Sequence, residues 1–219
     1  MSERELVYRV GRRPAEPAGA LVLLHGRGAD ELDLVPLLDE LDPDGRLVAI
    51  TLGAPLRLGP LGYHWYVSRE VGYPDPATFL ETYRRVGGWL DELPALTGVG
   101  YDQTVLGGFS QGAVMSYALA LGRGRPSPAA LVAMSGFIPA ATGFELDPAG
   151  HQELPVWIGH GTLDPIMPVS FGRAAAGALR AAGLHVDYRE SAMGHSIDRA
   201  FVDHVARSLP GVLQRRQAA

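Results

Sequence analysis

Two hydrophobic patterns alternate along this chain. Short unbroken apolar runs occur at Ala20-Leu21-Val22-Leu23-Leu24, Leu47-Val48-Ala49-Ile50, Thr104-Val105-Leu106, Leu131-Val132-Ala133-Met134 and Pro155-Val156-Trp157-Ile158. Runs of this length, bounded by glycine-rich loops, suit strands buried on both faces of a parallel sheet. Leu6-Val7-Tyr8-Arg9-Val10 alternates and predicts an edge strand, and His185 to Arg189 predicts a further strand. Helix-period stripes lie between them. Leu34, Leu37, Leu38 and Leu41 follow Asp30 as a cap; Phe79, Tyr83, Val86, Leu90 and Leu93 share one face of a helix over Thr78 to Leu93. Ala113 to Leu121, Ser170 to Ala182 and Ile197 to Leu209 complete the set. Strands alternating with helices at this spacing predict an α/β fold with a doubly wound, mostly parallel sheet. Gly53 to Pro76 reads as a long surface loop that shapes a site. Residues 1–219 show no repeat or linker and read as a single domain, frayed from Gln214.

Composition narrows the function classes. With 219 residues, 47% of them apolar, the chain is long enough for one large core. Nineteen basic against 24 acidic residues give net −5, and no basic run is longer than an arginine pair such as Arg215-Arg216, so nucleic acid is not an expected partner. There is no cysteine, which excludes disulfides, thiolate metal sites and a cysteine nucleophile. Met1-Ser2-Glu3-Arg4-Glu5 is charged, unlike a signal peptide, and no apolar run approaches the length of a membrane span. A soluble cytoplasmic protein is the expectation.

One stretch carries chemistry. Thr104 to Phe109 leads through Gly108-Phe109-Ser110-Gln111-Gly112 into helix formers. In a chain with 28 glycines the five-residue string is weak by itself, but strand, sharp turn and helix are the setting of a nucleophile elbow. Glycine at 108 and 112 would relieve collisions across so tight a turn, leaving the Ser110 hydroxyl clear of the backbone. In a doubly wound sheet the loops after the strands gather along one edge. Two such loops supply partners: Gly161-Thr162-Leu163-Asp164-Pro165 and Ser191-Ala192-Met193-Gly194-His195. His195 would serve as general base to Ser110, and Asp164 would hold the imidazole in the needed tautomer.

The other titratable residues have plainer readings. His25 and His160 each end an apolar run and are expected to make turn or core hydrogen bonds. His64, His151, His185 and His204 show no partner pattern and default to the surface. Asp147, Asp187 and Asp198 lack the strand-end placement of Asp164. An oxyanion hole needs two backbone donors: the Gln111 N–H and one from His25-Gly26-Arg27-Gly28. No metal-ligand spacing or phosphate loop occurs, so no cofactor is implied.

Leu24-His25-Gly26-Arg27-Gly28-Ala29-Asp30, Gly107-Gly108-Phe109-Ser110-Gln111-Gly112-Ala113, His160-Gly161-Thr162-Leu163-Asp164-Pro165-Ile166-Met167-Pro168 and Gly194-His195 together resemble the phospholipase/carboxylesterase family, the bacterial carboxylesterases and acyl-protein thioesterases. The resemblance spans nearly the whole chain. It implies an α/β-hydrolase fold without a large lid, hydrolysis of short- to medium-chain acyl esters, and frequent homodimers. By motif position it puts the triad on Ser110, Asp164 and His195 and the oxyanion donors on Arg27 and Gln111. Arg27 stands where the thioesterases commonly carry leucine, and its charge favours smaller or more polar esters than lysophospholipids. Trp65, Tyr66 and Phe137 are candidate walls of the substrate pocket. The expectation is a serine carboxylesterase taking a small acyl ester. An acyl thioesterase or lysophospholipase of the same family is the alternative, and a non-catalytic ligand-binding relative is the reading from another class.

Overall fold

The computed structural model describes residues 5–60 and 62–217; Met1–Arg4 of the charged N-terminal stretch, Leu61 and Ala218–Ala219 lie outside the described residues. In chain order the strands are β1 (Tyr8–Arg12), β2 (Gly19–Leu24), β3 (Leu47–Leu52), β4 (Leu56–Arg57), β5 (Tyr63–His64), β6 (Ser68–Glu70), β7 (Tyr73–Pro74), β8 (Thr104–Phe109), β9 (Ala130–Met134), β10 (Val156–Gly161) and β11 (Val186–Ser191). The α-helices are α1 (Val35–Leu41), α2 (Pro76–Asp91), α3 (Leu93–Thr97), α4 (Gln111–Leu121), α5 (Ser170–Ala181) and α6 (Arg199–Gln217). Seven strands form one sheet in the order β1-β3-β2-β8-β9-β10-β11. All its pairings are parallel except β1 with β3.

The unbroken apolar runs are explained by burial on both sides. Along β2, Ala20, Val22 and Leu24 enter one core cluster, and Leu21 and Leu23 enter the other. The first cluster packs against α2, α4 and α5; the second packs against α1 and α6. All eleven residues of α4 are buried. A helix apolar on every side has no solvent face to offer, so it sits in the interior. It is this helix that carries the nucleophile candidate at its N-terminus.

Several boundaries differ from the sequence reading. Asp30 does not cap α1; its carboxylate accepts the Leu32 N–H in a turn, and the helix starts at Val35. Pro36 lacks an N–H and is tolerated in the first helical turn, which delays the start to Val35. The same preference moves the start of α2 forward to Pro76, where Asp75 caps it by accepting the Thr78 N–H at 3.0 Å. The edge strand β1 is displaced to Tyr8–Arg12, and α6 begins at Arg199 and continues to Gln217 through Pro210. Burial of Val212 and Leu213 on the far side of Pro210 extends the apolar stripe, so the residues from Gln214 to Gln217 are helical instead of frayed. The Gly53–Pro76 loop contains two short ribbons, β4–β5 and β6–β7.

Edge strand β11 leads directly into the His195 loop and is tied to α5 by a bidentate contact of Arg173 with Glu190 at 2.7 and 2.8 Å. That guanidinium, helped by the Tyr188 hydroxyl, pulls the Glu190 carboxyl down to about 2. A carboxylate depressed in the folded state adds stability above its ordinary value of 4.5, and the gain is lost as the pH falls toward 2. Arg173→Gln is therefore expected to lower stability slightly at neutral pH, with the deficit vanishing in melts near pH 2. Both groups are substantially exposed, so salt should shrink the effect. A deficit unchanged at low pH would assign the loss to packing.

Among the described residues no helix is long and apolar enough to cross a membrane.

Candidate active site

Ser110 lies between the last residue of β8 and the first of α4, with φ 54° and ψ −120°. Left-handed backbone at a non-glycine residue is a strained state that its surroundings must hold. Here the Ser110 N–H donates to Met134 O at 2.9 Å and its carbonyl accepts the Val114 N–H at 3.2 Å. The flanking glycines have two separate reasons. A Cβ on Gly108 would come within 2.5 Å of the Gly112 carbonyl carbon, across the turn as the sequence suggests. A Cβ on Gly112 would instead lie 2.0 Å from Leu24 O, at the end of the neighbouring strand. That second contact is between elements and has no local signature. Gly112→Ala should cost ~3 kcal/mol or more by overpacking, read as a lowered urea midpoint; a neutral result would mean that the α4 N-terminus is free to shift.

Parallel pairing sets the loops side by side. Leu24 of β2 pairs with Gly108 of β8, so the His25–Gly28 loop emerges beside the elbow. Gly161 of β10 pairs with Ser191 of β11, and beyond them Leu163 N–H donates to Met193 O at 3.0 Å, joining the Asp164 loop to the His195 loop. The three side chains singled out from sequence thus converge. His195 Nε2 lies 3.0 Å from Ser110 Oγ, and His195 Nδ1 lies 2.6 Å from Asp164 Oδ2. Phe109 packs against the imidazole with ring centroids 4.7 Å apart.

Asp164 has little contact with solvent, and its other oxygen, Oδ1, accepts the N–H groups of Ile166 at 2.9 Å and Met167 at 2.7 Å. Burial alone would raise its pKa, but the Met167 and Ile166 amides and the His195 ring together hold the carboxyl below its ordinary value. It is an acceptor throughout the neutral range. Its N–H partners leave Oδ2 as the oxygen that faces the imidazole.

The oxyanion candidates also sit at this edge. Gln111 opens α4, so its N–H has no acceptor within the helix. In the β2 loop the Gly28 N–H donates to Tyr63 O and the Ala29 N–H to Gly26 O, and among the described residues no backbone acceptor takes the Arg27 N–H. The Gln111 side chain has a second use that sequence reading missed. Its Oε1 accepts Trp65 N–H and its Nε2 donates to Tyr66 O, both at 3.1 Å, pinning that segment to the elbow. His25 has the structural role expected of it: its ring accepts Ala54 N–H at Nε2, which leaves Nδ1–H to donate to Gly26 O. His160 is likewise buried and bonded to Met167 O at 2.7 Å.

An open cleft of about 340 Å³ lies over Ser110, Gln111 and His195. Arg27, Tyr66 and Phe137 line it, as do Ile166 and Met167. Trp65 does not. It is fully buried beneath the cleft, its indole N–H donating to His25 O at 2.8 Å, because the Gln111 bridge turns the segment inward at that point. His64 and His151, read as surface residues, are also buried at 5% and 6% exposure. The remaining wall comes from the β6–β7 ribbon through Ser68, Arg69, Glu70 and Val71. Sequence reading passed over this ribbon because two- and three-residue strands leave no periodicity. Among the described residues no group of three or more His, Cys, Asp or Glu side chains is arranged to hold a metal ion.

The sequence profile of the phospholipase/carboxylesterase family matches residues 74–212. Acyl-protein thioesterase 1 homolog 1 of Dictyostelium discoideum is 21% identical over 218 residues, covering 88% of this chain and 92% of the relative. Among solved structures, esterase PE8 superposes with a TM-score of 0.78 at 29% identity, covering 95% of this chain and all of that one (100%). The Bacillus cereus carboxylesterase superposes with a TM-score of 0.78 at 23% identity, covering 94% and 93% of the two chains.

Proposed function

This chain belongs to the phospholipase/carboxylesterase family and is an ester hydrolase with the α/β-hydrolase fold, and from that premise we propose that it is a serine carboxylesterase acting on short- to medium-chain acyl esters through an acyl-enzyme. The observation that carries the proposal is the continuous hydrogen-bonded chain from Asp164 through His195 to Ser110 at the floor of the cleft.

In this reading Ser110 Oγ attacks the ester carbonyl carbon while His195 Nε2 takes the hydroxyl proton. The carbonyl oxygen gains the negative charge and accepts hydrogen bonds from the Arg27 and Gln111 N–H groups, each worth about 3 kcal/mol of barrier. Asp164 stabilises the imidazolium formed in this step. Collapse breaks the bond to the alcohol oxygen, which leaves with the proton returned by His195. Water, activated by the same imidazole, then attacks the acyl-serine and releases the carboxylic acid. A cleft of about 340 Å³ is at the small end of ligand sites and suits a compact acyl group against Tyr66 and Phe137.

The thioesterase named among the relatives supports one alternative, since the same steps cleave a thioester. A series of nitrophenyl esters graded in acyl length, alongside an acyl thioester of matched length, separates the two. The expected result is a burst of nitrophenol followed by steady turnover, with the rate falling for long chains and the ester preferred. A preference for the thioester would move the assignment to thioesterase. Hydrolysis of neither would overturn the catalytic reading.

A further inference from the structure

The cleft wall carries charge that the reaction does not use. Arg27 and Arg69 both line the cleft and are both exposed. Several other arginines have an acid partner, among them Arg12 with Asp39 and Asp42, Arg125 with Asp91, Arg173 with Glu190 and Arg189 with Asp187. Among the described residues neither Arg27 nor Arg69 makes an ion pair. Asp75, the acid next to the β6–β7 ribbon, caps α2 through Thr78 and also feels the charge of Arg69, without an ion-pair contact between them. Among the residues that line the cleft itself there are two guanidinium groups and one carboxylate, Glu70. No structural need for this excess is evident, because a guanidinium at the surface is satisfied by water and stabilises nothing by standing alone.

The two arginines come from different elements, the loop after β2 and the ribbon strand β6, and both line the cleft beside Ser110. A guanidinium presents a planar fork of donors matched to carboxylate and phosphate oxygens. We propose that Arg27 and Arg69 form a subsite for an anionic oxygen group, so that the preferred substrates are esters bearing a carboxylate or a phosphate in addition to the ester bond. This rests on the esterase reading above and gives its substrate class a charge. The Arg27 backbone serves the oxyanion and its side chain serves the substrate's anion, two separate uses of one residue. A fully greasy acyl groove would not place two cations on its wall.

The test compares matched probes on the intact protein. Mono-4-nitrophenyl adipate and 4-nitrophenyl hexanoate share a leaving group and differ by a carboxylate in place of a methyl group. A second pair, the acetyl esters of glycerol phosphate and of glycerol, puts the anion on the alcohol side. The readout is the ratio of kcat/KM for the anionic over the neutral member. Wild type should favour the anion in at least one pair, which also places the subsite on the acyl or the alcohol side. Arg69→Gln and Arg27→Gln should each lower that ratio by about 5-fold, the scale of one exposed ion pair. Arg69→Glu should lower it further, Glu70→Gln should raise it, and added salt should reduce it in the wild type. Opposite effects at positions 69 and 70 would not arise from general disruption of the ribbon. Turnover of the neutral esters with ratios at or below one, or ratios unmoved by these variants, overturns the subsite while leaving the esterase. No turnover of any member overturns both.

Discussion

Ser110→Ala is expected to lower turnover of nitrophenyl esters by about 10⁶-fold, the scale found when a nucleophile is removed from a triad that acts as a unit. The nitrophenol burst should vanish with it. The substitution deletes one oxygen from a residue with 7% exposure and leaves the elbow backbone bonds to Met134 and Val114 in place. Alanine does have to adopt φ 54°, so a modest fall in stability is also expected. A melting temperature well above the assay temperature, measured on the same preparation, separates lost chemistry from lost fold. Retention of more than about 1% of the wild-type rate would exclude Ser110 as the nucleophile, because the residual from binding and the oxyanion hole alone lies orders of magnitude lower.

Asp164→Asn is expected to lower kcat by about 10⁴-fold with little loss of stability. The reason lies in the two backbone donors. Ile166 and Met167 both point N–H groups at Oδ1, so an asparagine must keep its oxygen there and turn its NH₂ toward His195. The imidazole then has to accept at Nδ1, which places its proton on Nε2, facing Ser110 Oγ. A nitrogen already carrying a proton cannot take another from serine. The carboxylate lies below its ordinary pKa, so the native arrangement holds across the neutral range, and the acid limb of the rate should report protonation elsewhere. A loss under about tenfold, with the crystal structure of the variant showing the amide in place, would show that tautomer control is not what Asp164 contributes.

Much of the layout was legible because burial writes itself into sequence. The strands flanked on both faces are unbroken apolar runs, and the helices carry a stripe for one neighbour or, in α4, apolar residues all round. The three residues proposed as the triad could be singled out for a related reason: each stands just after a strand, and parallel order sends all such strand ends to one edge. Where sequence reading missed, a distant partner was deciding. Asp30 has the chemistry of a cap, but Pro36 set where the helix could begin. Trp65 has the size and shape of a pocket wall, but Gln111, 46 residues away, turned it into the interior. His64 carries no local mark of burial and was covered by packing.

Local periodicity, turn chemistry and chain order thus determined the α/β architecture and which serine, aspartate and histidine to consider. They act over a few residues and are written in the residues themselves. Tertiary structure alone decided that Gly112 must clear the Leu24 carbonyl, that Oδ2 and not Oδ1 of Asp164 meets the imidazole, and that Arg27 and Arg69 face one cleft. Each of these is a contact between segments far apart in the chain. Its energy depends on distances of a few tenths of an ångström, and those are set only when the whole sheet and its helices close together.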